Sequence, residues 1–413
     1  MSSNPRALPI GPDPRAALPA LRAMLDGAGP LLLPHAPDAA PRLGHGGREP
    51  APAGVAVATS GSTGTPKRAV LSTAELRASA QATAETIGAG RWLLTLPPHH
   101  IAGLQVVLRS LLAGHEPAPG PVGSFTPHAF AAALTVASGS GAAPAYVSLV
   151  PTQLARLLDD PAGVGALRRF AAVLVGGAAT DAGLLARARA AGAPVVTTYG
   201  MSETAGGCVY DGRPLPGVQV VLEDADGPPA VPVSASLSAS VSASLSAPRE
   251  GRIVLSGPMV ARGYLDDDAA SAAAFGTVQH QHSFRTDDLG ELRDGLVIVR
   301  GRLDDVIVTG GLKVAPHIVT EAVARVLPGV PCVVLGLPDP RWGQAVTAVL
   351  VADGDAAQDL RRDWPATLGR LRRALPGYAL PRRMETVPAL PLRGPGKPDL
   401  AALRATLAGR PSS

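Results

Sequence analysis

The sequence predicts an α/β fold: a large N-terminal domain of α/β layers with a small β-subdomain, followed by a small α+β C-terminal domain. Three observations carry this expectation. Short apolar runs alternate with amphipathic stretches from residue 55 to about 200. From about 208 to 300 the texture changes to short strands and turns. After G-R-L-D-D (301–305) a new strand-and-helix unit of about 110 residues begins, a usual domain length.

The elements follow in order. Residues 55–59 (V-A-V-A-T) read as a buried strand, and R-A-V-L after the next loop as another. Ser72 starts a helix, because S-T-A-E puts Glu75 at the third helical position of a capping box. W-L-L-T-L (92–96) reads as a strand and I-A-G-L-Q-V-V-L-R-S-L-L (101–112) as a helix. A-Y-V-S-L-V (145–150) is a strand, and Pro151 opens the helix after it, where a missing N–H costs nothing. A-A-V-L-V (171–175) runs into Gly176-Gly177, residues 181–191 form a helix, and P-V-V-T-T-Y (194–199) is a strand. Such alternation implies a largely parallel sheet.

The β-subdomain spans about 208–300 and contains V-S-A-S-L-S-A-S-V-S-A-S-L-S-A-P (233–248). Ser and Ala bury too little to hold an edge strand, so this four-residue repeat reads as a flexible insertion. The domain boundary falls between 302 and 303. The C-terminal domain has strands near 306–308, 331–336 and 345–351, helices near 316–327, 364–374 and 399–407, and a G-P-G-K loop near its end.

Composition sets the limits. A chain of 413 residues exceeds one core. With 46% hydrophobic and 17% charged residues it is an ordinary globular protein, and at 3% aromatics its core must be mostly Ala, Val and Leu. A net charge of +4 without a dense basic run implies no nucleic acid. Cys208 and Cys332 give neither a disulfide framework nor metal-ligand spacing, which fits a reducing compartment. No apolar core of signal-peptide length opens the chain and no run of 18 apolar residues occurs, so membrane insertion is not expected and the cytoplasm is the expected location. Of the 37 basic residues three are lysine: Lys67, Lys313 and Lys397. In an arginine-rich chain, a lysine that persists is a candidate for chemistry that needs a compact ammonium on a flexible stem.

Four motifs carry chemistry. T-S-G-S-T-G-T-P-K, Thr59 to Lys67, sits between two strands and offers backbone N–H groups, hydroxyls and one ammonium to phosphate oxygens. It is not a Walker loop, since Pro66 precedes Lys67 and Arg68 follows it. Y-G-M-S-E-T, Tyr199 to Thr204, lies at the C-terminal end of a strand, where ligands gather in open α/β sheets. There Ser202 can bind phosphate and Glu203 can hold Mg²⁺, or the pair can simply cap a helix. F-R-T-D-D-L-G (284–290), followed by G-R-L-D-D, can place an aspartate and Arg302 on a ribose, or form a surface ion pair. P-L-R-G-P-G-K (391–397) puts Lys397 on a Gly/Pro loop, which could deliver it to a site or leave it in solvent.

Together, in this order, the four motifs resemble the adenylate-forming superfamily: acyl-CoA synthetases, adenylation domains of peptide synthetases and luciferases. The resemblance covers about residues 55 to 405. L-P-P-H-H-I-A-G-L (96–104), Y-V-S-L-V-P-T-Q-L (146–154) and Y-G-M-S-E-T-A-G-G-C-V-Y-D-G-R-P-L-P-G (199–217) look like the o-succinylbenzoate–CoA ligases of menaquinone biosynthesis. The short stretch of 58 residues before the phosphate loop fits that group too.

The resemblance implies the following roles. Thr59, Ser60, Gly61, Ser62, Thr63, Gly64 and Lys67 hold the β- and γ-phosphates of ATP. Gly177, Ala178 and Tyr199 frame adenine. Ser202 contacts the α-phosphate and Glu203 binds Mg²⁺. Asp288 and Arg302 hold the ribose. Lys397 bridges the attacking carboxylate and the α-phosphate. Asp304 is the hinge about which a mobile C-terminal domain rotates between half-reactions, and the G-G-L-K-V loop around Lys313 serves thioesterification. The acid pocket is expected from His100, Ser148, Thr152, Gly206 and Gly207, although a lone histidine is as readily a packed core residue. Asp287 stands where the family usually has glycine, and the Ser/Ala repeat has no counterpart.

The implied reaction joins a small-molecule carboxylic acid to coenzyme A at the expense of ATP. The leading acid is o-succinylbenzoate. The alternatives are another aryl- or acyl-CoA ligase, a stand-alone adenylation enzyme loading a carrier protein, and a nucleotide-binding protein without catalysis. Oligomeric state is open, a homodimer included.

Overall fold

The computed structural model describes residues 4–39, 53–59, 67–139, 143–223, 233–234, 249–393 and 397–408, with residues 233–234, 249, 392–393 and 397 described by their backbone alone. The chain divides into two compact units, Met1–Thr286 with Leu292–Ile298, and Asp287–Glu291 with Val299–Ser413.

The first unit contains three sheets. One has the order β1 (Arg6–Pro9), β2 (Leu31–His35), β3 (Gly54–Ala58), β4 (Arg68–Ser72) and β15 (Gly263–Tyr264). Its first three strands are parallel, and β3–β4 is an antiparallel hairpin. The helix α1 (Leu18–Leu25) and the strands β1 and β2 precede the first element predicted from the sequence.

The second sheet has seven strands, in the order β11 (Arg213–Pro214), β10 (Gly206–Tyr210), β9 (Val195–Met201), β8 (Ala172–Val175), β7 (Tyr146–Leu149), β5 (Trp92–Leu94) and β6 (Ala118–Pro119). The strands β6, β5, β7, β8 and β9 are parallel, as the alternation predicts. Their period of two divides the side chains between two cores. Leu93, Val147, Leu149, Val173 and Val175 face the core that Phe130, Leu154 and Leu167 complete. Trp92, Leu94, Tyr146, Ala172 and Leu174 face the core shared with Leu76 of α2 (Thr73–Ile87) and Leu104, Val107 and Leu108 of α3 (Ile101–Leu112). The capping box of α2 is formed: the Ser72 N–H donates to Glu75 Oε2 at 2.5 Å and the Ala74 N–H to Ser72 Oγ at 3.2 Å. Pro151 opens α5 (Pro151–Leu158) as expected.

One boundary differs from the sequence reading. Residues 208–210 do not begin the β-rich region; they belong to β10, which reverses direction and pairs antiparallel with β9. Ala205, in the left-handed region at φ 51°, and Gly206, at φ 97°, make that reversal. The β-rich sheet starts with β12 (Gln219–Glu223) and runs β13 (Val233–Ser234), β12, β14 (Arg249–Ser256), β17 (Gln281–Arg293), β16 (Phe275–Val278). Val233 and Ser234 of the Ser/Ala repeat pair with Val220 and Gln219, while residues 235–248 lie outside the described residues.

In the second unit the sheet order is β20 (Leu312–Val314), β19 (Ile307–Thr309), β22 (Gly343–Val351), β21 (Cys332–Asp339), with β23 (Arg383–Val387) also on β22. The helix predicted near 364–374 spans Gly354–Leu371. It starts ten residues earlier because its first half is polar and exposed, with Ala357 its buried residue there. Pro365 is an interior residue of it and lacks one ladder N–H. Arg300 joins the buried Glu291 carboxylate, and Glu321 at 3.2 Å, which ties the 287–291 segment to its unit.

Candidate active site

The β3–β4 hairpin carries the Thr59–Lys67 motif as its loop. The Thr59 N–H donates to the Lys67 carbonyl at 2.8 Å and closes the base of that loop. Ser60, Gly61, Ser62, Thr63 and Gly64 lie outside the described residues. The exposed Lys67 places its ammonium 4.9 Å from the ring centroid of Tyr264.

Ser202 and Glu203 follow β9 in a short 3₁₀ turn, Ser202–Thr204, and are both 8% exposed. Ser202 Oγ donates to the carbonyl of Ala58 at 3.2 Å, the last residue of β3. Glu203 Oε1 accepts from Tyr264 Oη at 2.9 Å, and the Glu203 carbonyl accepts from the Ala261 N–H at 2.8 Å. Two motifs far apart in sequence thus meet at the end of β3. The sequence reading missed Tyr264. Its strand β15 pairs with Ala69 and Val70 of β4, which sets the ring beside Lys67.

The turn is held from below. Ser79 Oγ of α2 and Gln105 Nε2 of α3 both donate to the carbonyl of left-handed Ala205 at 2.9 Å. Thr204 Oγ1 accepts from the Met201 N–H at 3.0 Å and lies 2.8 Å from the Gly206 carbonyl. Gly200 is required where β9 and β10 meet, since a Cβ there would come within 2.1 Å of the Gly206 carbonyl oxygen.

Tyr199 lies opposite Val209 in the β9–β10 pair and packs on the main core. Gly177, at φ 79°, and Ala178 follow the end of the neighbouring parallel strand β8. Gly206 and Gly207 lie opposite Met201 and Gly200. Ser148 is buried on β7, its carbonyl accepting from Thr95 Oγ1 at 2.6 Å, and Thr152 is exposed in the first turn of α5. His100 precedes α3, its ring centroid 4.4 Å from that of His99. Burial lowers the His99 imidazole below its ordinary value, and its buried Nδ1 has no hydrogen-bond partner among the described residues.

The second unit holds the other candidates. Arg302 Nε and Nη2 donate to Asp304 Oδ1 and Oδ2 at 2.8 and 3.0 Å. The same guanidinium lies 3.7 Å from Asp288 and 3.6 Å from Asp287. The bonds to Asp304 raise the Arg302 guanidinium above its ordinary value against the effect of burial. Burial works to raise the Asp304 carboxyl, but the Arg302 bonds and charge outweigh it and hold the group below the usual carboxylate range. Lys397 begins the short strand β25 (Lys397–Pro398), paired antiparallel with β24 (Leu392–Arg393). Residues 394–396 of the predicted loop lie outside the described residues. Lys313 is exposed on β20, whose residues pair with β19.

Among the described residues no three His, Cys, Asp or Glu side chains cluster to hold a metal, and no helix is long and apolar enough to cross a membrane. The donors at Ser202–Glu203 are one buried carboxylate and hydroxyl oxygens. That set fits Mg²⁺, which takes one or two carboxylates together with phosphate oxygens and water rather than a closed protein cage.

The chain is similar to several known proteins. A probable 2-succinylbenzoate–CoA ligase of Mycobacterium tuberculosis (strain CDC 1551 / Oshkosh) is 39% identical over 414 residues, covering 97% of this chain and 98% of its own. A 2-succinylbenzoate–CoA ligase of Staphylococcus aureus (strain MSSA476) is 30% identical over 82% of this chain and 64% of its own. Among solved structures, the o-succinylbenzoate CoA synthetase of Bacillus subtilis, in complex with the acyl-adenylate OSB-AMP, superposes with a TM-score of 0.66 at 25% identity over 87% of this chain and 69% of that one. ATP-bound MatB from Rhodopseudomonas palustris shares the fold, with a TM-score of 0.71 at 24% identity over 98% of this chain and 79% of that one. Residues 319–397 match the AMP-binding enzyme C-terminal domain, and with residues 48–265 matching the AMP-binding enzyme family, the chain belongs to that family.

Proposed function

We propose that the chain is an ATP-dependent acyl-CoA ligase that converts o-succinylbenzoate to o-succinylbenzoyl-CoA, a step of menaquinone biosynthesis. The observation that carries the reading is the meeting of the Ser202–Glu203 turn with the end of β3, beside Lys67 and Tyr264. The near full-length likeness to a protein named probable 2-succinylbenzoate–CoA ligase supports the choice of acid.

The reaction has two halves. A carboxylate oxygen of the acid attacks the α-phosphorus of ATP; the new P–O bond gives the acyl-adenylate and pyrophosphate leaves. The thiol of coenzyme A then attacks the acyl carbon, loses its proton and expels AMP. Such transfers need positioning and charge neutralisation more than covalent help from protein. Thr59 to Lys67 take the β- and γ-phosphates and Ser202 the α-phosphate, and Glu203 would hold Mg²⁺, which would neutralise phosphate charge. Gly177, Ala178 and Tyr199 frame adenine, and Asp288 and Arg302 hold the ribose. His100, Ser148, Thr152, Gly206 and Gly207 shape the acid pocket. Lys397 neutralises charge as the carboxylate meets the α-phosphate, and rotation of a C-terminal domain (303–413) about Asp304 lets one pocket serve both halves.

Lys397→Ala tests the division of labour. Adenylation, followed by pyrophosphate release, should fall about 10²-fold or more with ATP binding largely kept. Unchanged turnover would remove Lys397 from the mechanism.

A further inference from the structure

A pocket of about 300 Å³ opens between α2 and α3, with Arg77, Thr83, Gly90, Trp92, Arg109 and Leu112 in its wall. It shares no lining residue with the candidate active site. Trp92 starts β5 and Leu112 ends α3, whereas the segment assigned to the acid pocket follows β5 and precedes Ile101. At 1.5 Å per residue, Arg109 lies about 12 Å along α3 from Ile101.

Arg109 gives the pocket its chemistry. It is 8% exposed, and its guanidinium carbon sits 5.2 Å from the Trp92 ring centroid. Its buried Nε has no hydrogen-bond partner, and among the described residues no carboxylate pairs with it. A buried charge without a counter-ion is costly, and methionine would fill the same space without that cost. Arg77 adds a second cation at the rim, fixed by bonds from its Nε and Nη2 to the Leu25 carbonyl at 3.0 and 2.7 Å. Among the described residues no acidic one lines the cavity.

We infer that this pocket binds a small amphiphilic carboxylate. Its anionic end pairs with the Arg109 fork, which matches carboxylate geometry, and its flat apolar body lies against Ala84, Leu112 and Ala113. The volume is at the lower end for ligand pockets and suits a body of benzoate size.

The site also reaches the turn above it. Ser79 and Thr83 lie one turn apart on α2, as do Gln105 and Arg109 on α3. The first of each pair holds the Ala205 carbonyl and the second lines the pocket. A bound carboxylate therefore braces the two helices that support Ser202–Glu203.

Fluorine NMR titration with 4-fluorobenzoate, on the wild type and on Arg109→Met and Ala84→Phe, tests the proposal. The wild type should bind the probe, and each substitution should weaken binding at least tenfold while the thermal unfolding midpoint stays within a few degrees. The first substitution removes the cation; the second fills the cavity from α2, where Ala84 lines it. Inorganic phosphate should compete poorly, having no apolar body. Binding that survives both substitutions, as it would for a probe held in the acid pocket alone, overturns the site. So does absence of binding to folded wild type, and so does competition by phosphate as effective as that by unlabelled benzoate.

Discussion

Tyr264 holds Glu203 through a 2.9 Å hydrogen bond from its hydroxyl while the face of the same ring carries the Lys67 ammonium at 4.9 Å. One side chain thus fixes a buried carboxylate and steers the cation that closes the neighbouring loop. Its ring is itself fixed edge-on against Phe275, with centroids 5.3 Å apart.

Tyr264→Phe separates these two functions. The ring and its cation contact remain, and the buried Glu203 oxygen loses a donor. Stability should fall by about 1.5–3 kcal/mol, the worth of one hydrogen bond to a charged group. The proposed role of Glu203 predicts, in addition, a higher Mg²⁺ concentration for half-maximal adenylation. Chemical denaturation and a Mg²⁺ titration of pyrophosphate release read the two effects independently.

Gly200→Ala forces a methyl group within 2.1 Å of the Gly206 carbonyl oxygen and 2.7 Å of the Gly207 Cα. Backbone on both sides has nowhere to yield, so β9 and β10 must separate beside Ser202. The expected loss is about 3 kcal/mol of stability and about 10²-fold of activity, the effect of an ångström's misplacement. Gly165→Ala is the control. Among the described residues its Cβ meets nothing within 4 Å on the helix Pro161–Leu167, so unfolding should shift slightly upward and turnover should not change.

Burial pushes the thiols of Cys208 and Cys332 up to about 12. Both are protonated at neutral pH. Neither is therefore poised as a nucleophile at neutral pH. The double variant Cys208→Ala/Cys332→Ala should keep turnover within about twofold, and iodoacetamide at pH 8 should label the native protein far more slowly than the unfolded one.

The Arg302–Asp304 pair predicts an acid limb in the stability of the second unit. The Asp304 carboxyl is held below its ordinary value of 3.8. Its contribution is therefore fully present above about pH 4 and lost as pH falls through the lowered value. Asp304→Asn should be less stable than wild type near neutrality, and the two should converge at lower pH. Unfolding midpoints measured across the acid range test this; a constant difference would show that the charge pair contributes nothing.

Local signals made much of this fold legible. The capping box at Ser72 and Glu75 and the helix 101–112 follow from short-range chemistry, and the structure has them at the expected residues. The helix Gly354–Leu371 was legible only in its second half, because its first half is polar and exposed and carries no apolar period. The extent of β10 depended on a left-handed alanine, which no propensity indicates at Ala205. Ser202 and Glu203 stood out as polar residues at a strand end, yet Tyr264 did not. Its partner is 61 positions away and the pairing of β15 with β4 alone brings them together.

Mass spectrometry of the products formed from Mg-ATP, coenzyme A and a panel of acids including o-succinylbenzoate tests the central claim most directly. The account predicts AMP and o-succinylbenzoyl-CoA, with o-succinylbenzoate strongly preferred over every other acid. A thioester of a different acid, or no AMP release with o-succinylbenzoate, would contradict it.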